Sequence, residues 1–110
     1  MTDISIVTVT VGTDEEALSI ARTLVEEKLV ACVQIIPRLR SIYRWKGEIC
    51  DEAEQLLIMK TRYCLFSALQ TRIRQLHSYE VPEIVSFPIA DGLPEYLSWV
   101  IENTTESAEC

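Results

Sequence analysis

The segment 38–47 reads Arg-Leu-Arg-Ser-Ile-Tyr-Arg-Trp-Lys-Gly. Two sets of side chains alternate along it with a period of two, one set being Arg38, Arg40, Ile42 and Arg44 and the other Leu39, Ser41, Tyr43 and Trp45. That period is typical of a β-strand. The pair Lys46-Gly47 predicts a turn, and residues 54–61 predict the returning strand. The two strands together form a hairpin longer than a small sheet requires.

The strand that leads into this hairpin begins in an apolar run. Residues 29–36 are nearly all apolar, which predicts a central strand buried on both faces. Pro37 cannot donate a backbone hydrogen bond, so it marks an edge, a bulge or a bend. Residues 4–11 alternate β-branched residues with Ser and Thr and predict a first strand.

The remaining segments predict three helices and one more strand. Thr13 and Glu16 form a capping box, which predicts an amphipathic helix that runs to about Lys28. Apolar residues at helical spacing predict a second helix over 63–76. Residues 84–89 predict a fourth strand that stops near Pro88, and Pro94 opens a short closing helix. The order β-α-β-β-α-β with a C-terminal helix is that of an α+β, ferredoxin-like fold.

Length and charge narrow the class of protein. A chain of 110 residues, 48% of them hydrophobic, predicts a single domain over 1–103, followed by a flexible tail at 104–110. The net charge of −7 argues against nucleic acid, because phosphate contacts require clustered Lys and Arg. We expect neither a signal peptide nor a membrane span, and therefore a cytoplasmic location.

The four cysteines stand far apart, at positions 32, 50, 64 and 110, without a C-x-x-C pair. That spacing fits neither a zinc knuckle nor a compact disulfide scaffold. We therefore expect reduced thiols, with Cys32 a small buried hydrophobe and Cys110 exposed and oxidisable.

From residue 31 onward, five motifs resemble those of the CutA (divalent-cation tolerance) family, in the family's order. They are ACVQIIP at 31–37, SIYRWKG at 41–47, EQLLIMKT at 54–61, HSYEVPEI at 77–84 and YLSW at 96–99. The resemblance implies a homotrimer in which each long hairpin pairs with neighbouring subunits. It also implies lateral clefts between subunits, placed like the effector sites of PII proteins. Tyr43 and Trp45 are then expected to anchor the trimer interface.

Copper binding in this family involves a Cys at the end of the first strand and a His-His pair. The corresponding positions here are Thr10 and Leu76-His77, so His77 is the one retained candidate ligand. Neutral imidazole is a good copper ligand, and three copies in a trimer, or Glu80 and Glu83, could complete a site. The alternative for His77 is a helix C-terminal residue favoured by the helix dipole.

A second group of candidates concerns the intersubunit cleft: Glu54, Lys60, Tyr79 and Glu83. The oxygens of Tyr79, Glu80 and Glu83 could bind a hard cation, or these carboxylates could instead pair with Lys60, Arg38, Arg40 or Arg44. A Lys60 ion pair with Glu54 or Glu83 could lock the trimer or hold a small anionic ligand. No nucleophile elbow or Gly-rich phosphate loop is present, so we predict no enzymatic activity and no required cofactor. Three functions remain open: metal tolerance with weak copper binding, a PII-like metabolite sensor, and a purely structural trimer.

Overall fold

The computed structural model describes residues 1–107 and 109–110, and its centre is one four-stranded antiparallel sheet. The strands are β1 (Ile4–Val11), β2 (Cys32–Trp45), β3 (Glu48–Arg62) and β4 (Ile84–Pro88), arranged in the order β2-β3-β1-β4. The helices are α1 (Asp14–Glu26), α2 (Phe66–Leu76) and α3 (Pro94–Glu102), with a single 3₁₀ turn (Tyr63–Leu65) before α2. The ferredoxin-like α+β prediction is confirmed.

One face of the sheet carries the core. Alternate β-branched residues of β1 pack with β3 against the apolar stripes of α1 and α2. The fully buried members are Val7, Val9, Val11, Ile20, Leu24, Leu57, Met59, Leu69 and Ile73. A smaller cluster of Ile4, Ala31 and Val100 attaches α3 at one end of the sheet.

The prediction that β2 is a central strand is wrong. It lies at the edge of the sheet, and its residues are half-buried or exposed throughout. The apolar run 29–36 reflects side chains that pack partly against the core, such as Val33 and Ile35, and it does not specify the position of the strand within the sheet. Which strands flank one another is set instead by the crossover connections, which local hydrophobicity does not encode.

Helix α1 ends two residues earlier than expected. The Thr13 side chain accepts a hydrogen bond from the Glu16 N–H, as the capping box predicts. At the other end Lys28 adopts a left-handed φ of 57°, which stops the helix after Glu26.

The hairpin of β2 and β3 projects well beyond β1. Pairing runs from Leu39 opposite Glu54 to Trp45 opposite Glu48, past a bulge between Ile36 and Leu39 where Arg38 has a φ of 60°. Lys46 and Gly47 turn the chain with φ of 51° and 82°, the signs of a type I′ turn. The molecule is accordingly elongated, 43 × 25 × 22 Å.

The chain beyond residue 103 corrects two expectations. Thr104 is buried, the Thr105 N–H donates to the Lys28 carbonyl, and the Arg62 guanidinium donates to the Thr105 carbonyl. Cys110 forms a disulfide with Cys64, so neither of these thiols is reduced. The expected tail is therefore attached at both of its described ends, and its residue 108 lies outside the described residues. Spacing alone could not pair these two cysteines, which are 46 positions apart.

Candidate functional site

A cleft lies between the hairpin and the loop that follows α2. It has a volume of about 650 Å³. Its acidic lining consists of Glu52, Glu54, Glu80 and Glu83, and its aromatic lining of Tyr43, Trp45 and Tyr79. Lys and Arg are absent from the described lining, so all its charged side chains are acidic.

Glu54 is the buried carboxylate of this cleft, with only 6% of its surface exposed. Its Oε2 accepts a hydrogen bond of 2.7 Å from the Tyr79 hydroxyl. Burial, and then the bond to Glu54, raise the pKa of the Tyr79 phenol well above its usual range. Within the described residues no Lys or Arg lies within 4.0 Å of Glu54. Its only hydrogen-bond donor there is thus neutral.

His77 places Tyr79 over the cleft. The imidazole side chain is fully buried, with Nε2 2.7 Å from the Thr10 carbonyl oxygen. Nδ1 accepts a 3.0 Å hydrogen bond from the Tyr79 N–H, so the ring proton is on Nε2, which donates to Thr10. Both ring nitrogens are engaged by the backbone, which leaves neither lone pair for a metal. The prediction that His77 is a copper ligand does not fit this arrangement.

Neighbouring contacts fix the same loop. The Ser78 N–H donates to a Glu16 carboxylate oxygen at 2.7 Å, and the His77 and Tyr79 rings lie 4.7 Å apart. A Cβ on Gly12 would lie 3.1 Å from the Tyr79 hydroxyl, so this glycine leaves room for the phenol.

Lys60 lies apart from the cleft. It stands six residues from Glu54 on the same strand, which corresponds to roughly 20 Å. Its ammonium donates to the Gln34 amide oxygen. Within one chain the structure therefore brings together Glu54, Tyr79 and Glu83, and it separates Lys60 from them.

The hairpin side of the cleft carries residues that the sequence did not single out. Glu52 and Cys50 line it beside Tyr43. Burial first, and then Glu52 and Cys50, raise the pKa of the Tyr43 phenol. Their period-two spacing with Glu54 on β3 was the available signal, since residues 50, 52 and 54 share one face of the strand.

Cys32 is half-buried rather than fully buried, and its Sγ lies 3.7 Å from the Tyr96 hydroxyl. Burial, followed by this contact, raises the pKa of Tyr96. The cleft does not include this pair.

Two absences apply to the described part of the chain. No three His, Cys, Asp or Glu side chains stand close enough to form a preformed metal site. None of the helices is both long and apolar enough to cross a membrane.

Fold and cleft define a small single-sheet α+β protein with an acidic cleft beside a projecting hairpin. The family profile described as "CutA1 divalent ion tolerance protein" matches residues 5–103. The divalent-cation tolerance protein CutA of Thermus thermophilus is 52% identical over 99 residues, covering 90% of this chain and 96% of that protein. The chain belongs to the CutA1 divalent ion tolerance family.

Solved structures agree with this assignment. The T. thermophilus Cut A1 structure aligns with a TM-score of 0.91 at 51% identity, covering 93% of this chain and 99% of that one. A CutA from Archaeoglobus fulgidus, titled a periplasmic divalent cation tolerance protein, aligns at 0.88 and 38% identity, covering 91% and 97%.

Proposed function

We propose that this chain forms a non-enzymatic homotrimer that takes part in the response to divalent metal ions and binds a cation in the acidic cleft. The observation that carries the proposal is the charge of the lining, which has four carboxylates and no Lys or Arg among the described lining residues. Of these carboxylates, only Glu80 has a cationic neighbour in the described part of the chain, Lys46, whose Nζ lies 3.9 Å from its carboxylate oxygen. Glu54 is buried there without a cationic partner, and a buried carboxylate is strongly stabilised by a counter-charge.

Unpaired strand edges and exposed apolar side chains on the hairpin of the single chain support the homotrimer. Beyond β1 the hairpin has two free edges, and an isolated two-stranded ribbon is at best marginally stable. Ile42 and Ile49 are each more than 60% exposed near its tip, and Tyr43 and Trp45 are exposed beside them. Neighbouring subunits would cover these edges and side chains.

We propose that the metal ligands are carboxylates of the cleft rather than His77. Carboxylate oxygens suit hard and borderline divalent cations, and the Cys50 thiol adds one softer donor that copper accepts. Because one chain lacks a complete set among its described residues, a neighbouring subunit must supply further ligands or water must complete the shell.

The PII-like alternative is a small metabolite in the same cleft. A volume of about 650 Å³ exceeds what a bare ion needs, which favours this reading. The acidic lining disfavours nucleotides and carboxylates, because like charges repel. A cationic metabolite is compatible with it.

A cytoplasmic location remains part of the proposal. The Cys64–Cys110 disulfide and the periplasmic relative weigh against it, since disulfides persist mainly in oxidising compartments. Thiol alkylation in intact cells followed by mass spectrometry measures whether Cys64 and Cys110 are reduced or disulfide-bonded. A disulfide that persists in cells would contradict a location in the reducing cytoplasm.

Calorimetric titration of the whole protein with CuCl₂ and ZnCl₂ tests cation binding. We expect saturable binding that weakens about tenfold or more in Glu54→Gln, because a charged acceptor is lost. Glu26→Gln, on an exposed position of α1, serves as the control and should leave binding unchanged. Equal binding by wild type and Glu54→Gln would refute the cleft as the metal site.

A further inference from the structure

The disulfide between Cys64 and Cys110 stands outside the packed core of the protein. All strands and helices of the described residues lie within 4–102, and Cys110 follows them at the end of the chain. Neither cysteine belongs to the two clusters of buried apolar side chains. Because the core is packed without this bond, the bond can open while the fold is retained.

Two different kinds of attachment hold the segment that follows α3. Thr105 is held by hydrogen bonds, since its N–H donates to the Lys28 carbonyl oxygen at 2.8 Å and its own carbonyl oxygen accepts from Arg62 at 2.8 Å. In residues 106–107 and 109–110 every hydrogen bond is local, with partners at most three positions apart. Among these described residues, the disulfide is therefore the one link, apart from the chain itself, that joins the C-terminal end to the rest of the protein.

The two cysteines differ in their access to solvent. Cys110 is exposed, whereas Cys64 is half-buried in the 3₁₀ turn before α2. Thiol–disulfide exchange begins when a thiolate attacks one of the two sulfur atoms, so it depends on which sulfur a thiol can reach. Exposed disulfides are the labile ones, and disulfides in reducing compartments are usually transient or redox-sensing. Access therefore favours opening by attack on Cys110 Sγ.

We infer that Cys64 and Cys110 form a redox-responsive pair, which a small monothiol such as glutathione opens and the disulfide of that thiol closes. A glutathione thiolate attacks Cys110 Sγ, the S–S bond breaks, and its electron pair leaves on Cys64 Sγ. A second glutathione thiolate attacks the glutathione sulfur of the mixed disulfide and releases the Cys110 thiolate. Two glutathione thiols thus become one disulfide, the protein disulfide becomes two thiols, and two protons pass from glutathione to the cysteines.

The state of this pair decides whether the last residues of the chain are attached. In the oxidised protein the bond holds Cys110 at the start of the second helical segment. In the reduced protein residues 106–107 and 109–110 keep only their local hydrogen bonds, while the hydrogen bonds of Thr105 remain. The pair does not involve the acidic cleft, so it goes beyond the proposed function and is independent of it.

The experiment equilibrates the full-length protein, in its native assembly, with mixtures of reduced and oxidised glutathione under nitrogen. Acid quenching, alkylation with N-ethylmaleimide in denaturant and intact-mass spectrometry then count the free thiols. We expect two in oxidised glutathione, at Cys32 and Cys50, and all four in excess reduced glutathione, with a return to two when the mixture is reversed. A pair that opens only after urea unfolds the protein, or that never closes in oxidised glutathione, would overturn the inference.

Serine variants identify the sulfur that is attacked. Cys64→Ser leaves the Cys110 thiol free, and Cys110→Ser leaves the Cys64 thiol free. With oxidised glutathione we expect the mixed disulfide to form on Cys110 about threefold or more faster than on Cys64, because Cys110 is the exposed one. Cys32→Ser is the matched control, which should open and close like wild type. Equal rates on the two cysteines would overturn the assignment of Cys110 as the attacked residue.

Proteolysis and circular dichroism distinguish release of the chain end from unfolding. A glutamate-specific protease should cleave after Glu106 about tenfold or more faster in the reduced protein, because an unattached terminus is accessible to the protease. Cys110→Ser should be cleaved at the fast rate in both redox states, and the far-UV circular dichroism should not change. Equal cleavage of reduced and oxidised wild type, or loss of the dichroism signal on reduction, would contradict a local redox-responsive pair.

Discussion

At the scale of single residues, the proposed site is built around the hydrogen bond between Tyr79 and Glu54. The backbone N–H of Tyr79 donates a hydrogen bond to Nδ1 of His77, which positions the tyrosine. The Tyr79 hydroxyl in turn donates to Glu54, the one buried carboxylate of the described cleft lining. Tyr79 and Glu54 are 25 positions apart, and each is polar. Nothing in their spacing required them to touch.

Tyr79→Phe removes this hydrogen bond and leaves the ring in place. We expect the free energy of unfolding at pH 7 to fall by about 1.5–3 kcal/mol, the usual value for a hydrogen bond to a charged group. The measurement is urea unfolding of both proteins.

The same pair predicts a pH dependence. Because the pKa of folded Tyr79 is raised, its stabilisation is fully present below the unfolded tyrosine pKa of about 10. It is lost as pH rises through the higher folded value. The difference between wild type and Tyr79→Phe should therefore persist at pH 9 and shrink in stronger alkali. A difference that disappears below pH 9 would contradict the pairing.

His77→Ala leaves the Thr10 carbonyl and the Tyr79 N–H without their partner. We expect a loss of about 2 kcal/mol or more in unfolding free energy, because each buried unpaired group costs about 1–3 kcal/mol. Copper titration of the folded variant should give the wild-type number of sites. Loss of a copper site with unchanged stability would instead restore His77 as a ligand.

At the scale of elements, sequence reasoning succeeded where the signal is local. The alternation of β1 predicted its bounds at residues 4–11, and the capping box located the start of α1. Sequence reasoning failed for contacts between residues that are far apart in the sequence. The edge position of β2 and the burial of His77 against Thr10, 67 positions away, depend on chain crossings that no window of sequence contains.

The turn of the hairpin offers a test at this scale. Gly47 has a φ of 82°, and a Cβ there would meet no atom within 4 Å. Gly47→Val should therefore cost about 1–2 kcal/mol of unfolding free energy through the backbone alone. Lys46→Asn is the matched control, because Asn tolerates positive φ and should be neutral. Equal stability of Gly47→Val and wild type would argue against this turn.

At the scale of the whole molecule, the C-terminus is joined to the start of the second helical segment by Cys64–Cys110. The loop spans 46 positions, for which the chain-entropy estimate of disulfide stabilisation is about 4 kcal/mol. Cys110→Ser should lower the unfolding free energy by about 2–4 kcal/mol under oxidising conditions. The difference should vanish with excess dithiothreitol, and its persistence there would contradict the disulfide as the cause.

In the proposed homotrimer, neighbouring subunits would complete the hairpin and the cleft. The single chain is elongated, its hairpin has two unpaired edges beyond β1, and the acidic cleft opens beside those edges. The hairpin was recognisable from its sequence because its alternation is local. A partner for its unpaired edges is not encoded in any single segment, which is why the homotrimer is a proposal that needs its own measurement.

Native mass spectrometry of the full-length protein, with and without CuCl₂ or ZnCl₂, tests the central claim most directly. We predict one assembly at three times the 12.6 kDa of the chain, gaining bound cations in wild type and fewer in Glu54→Gln. A monomer at micromolar concentration, or a trimer whose cation uptake is the same in both proteins, would contradict the account.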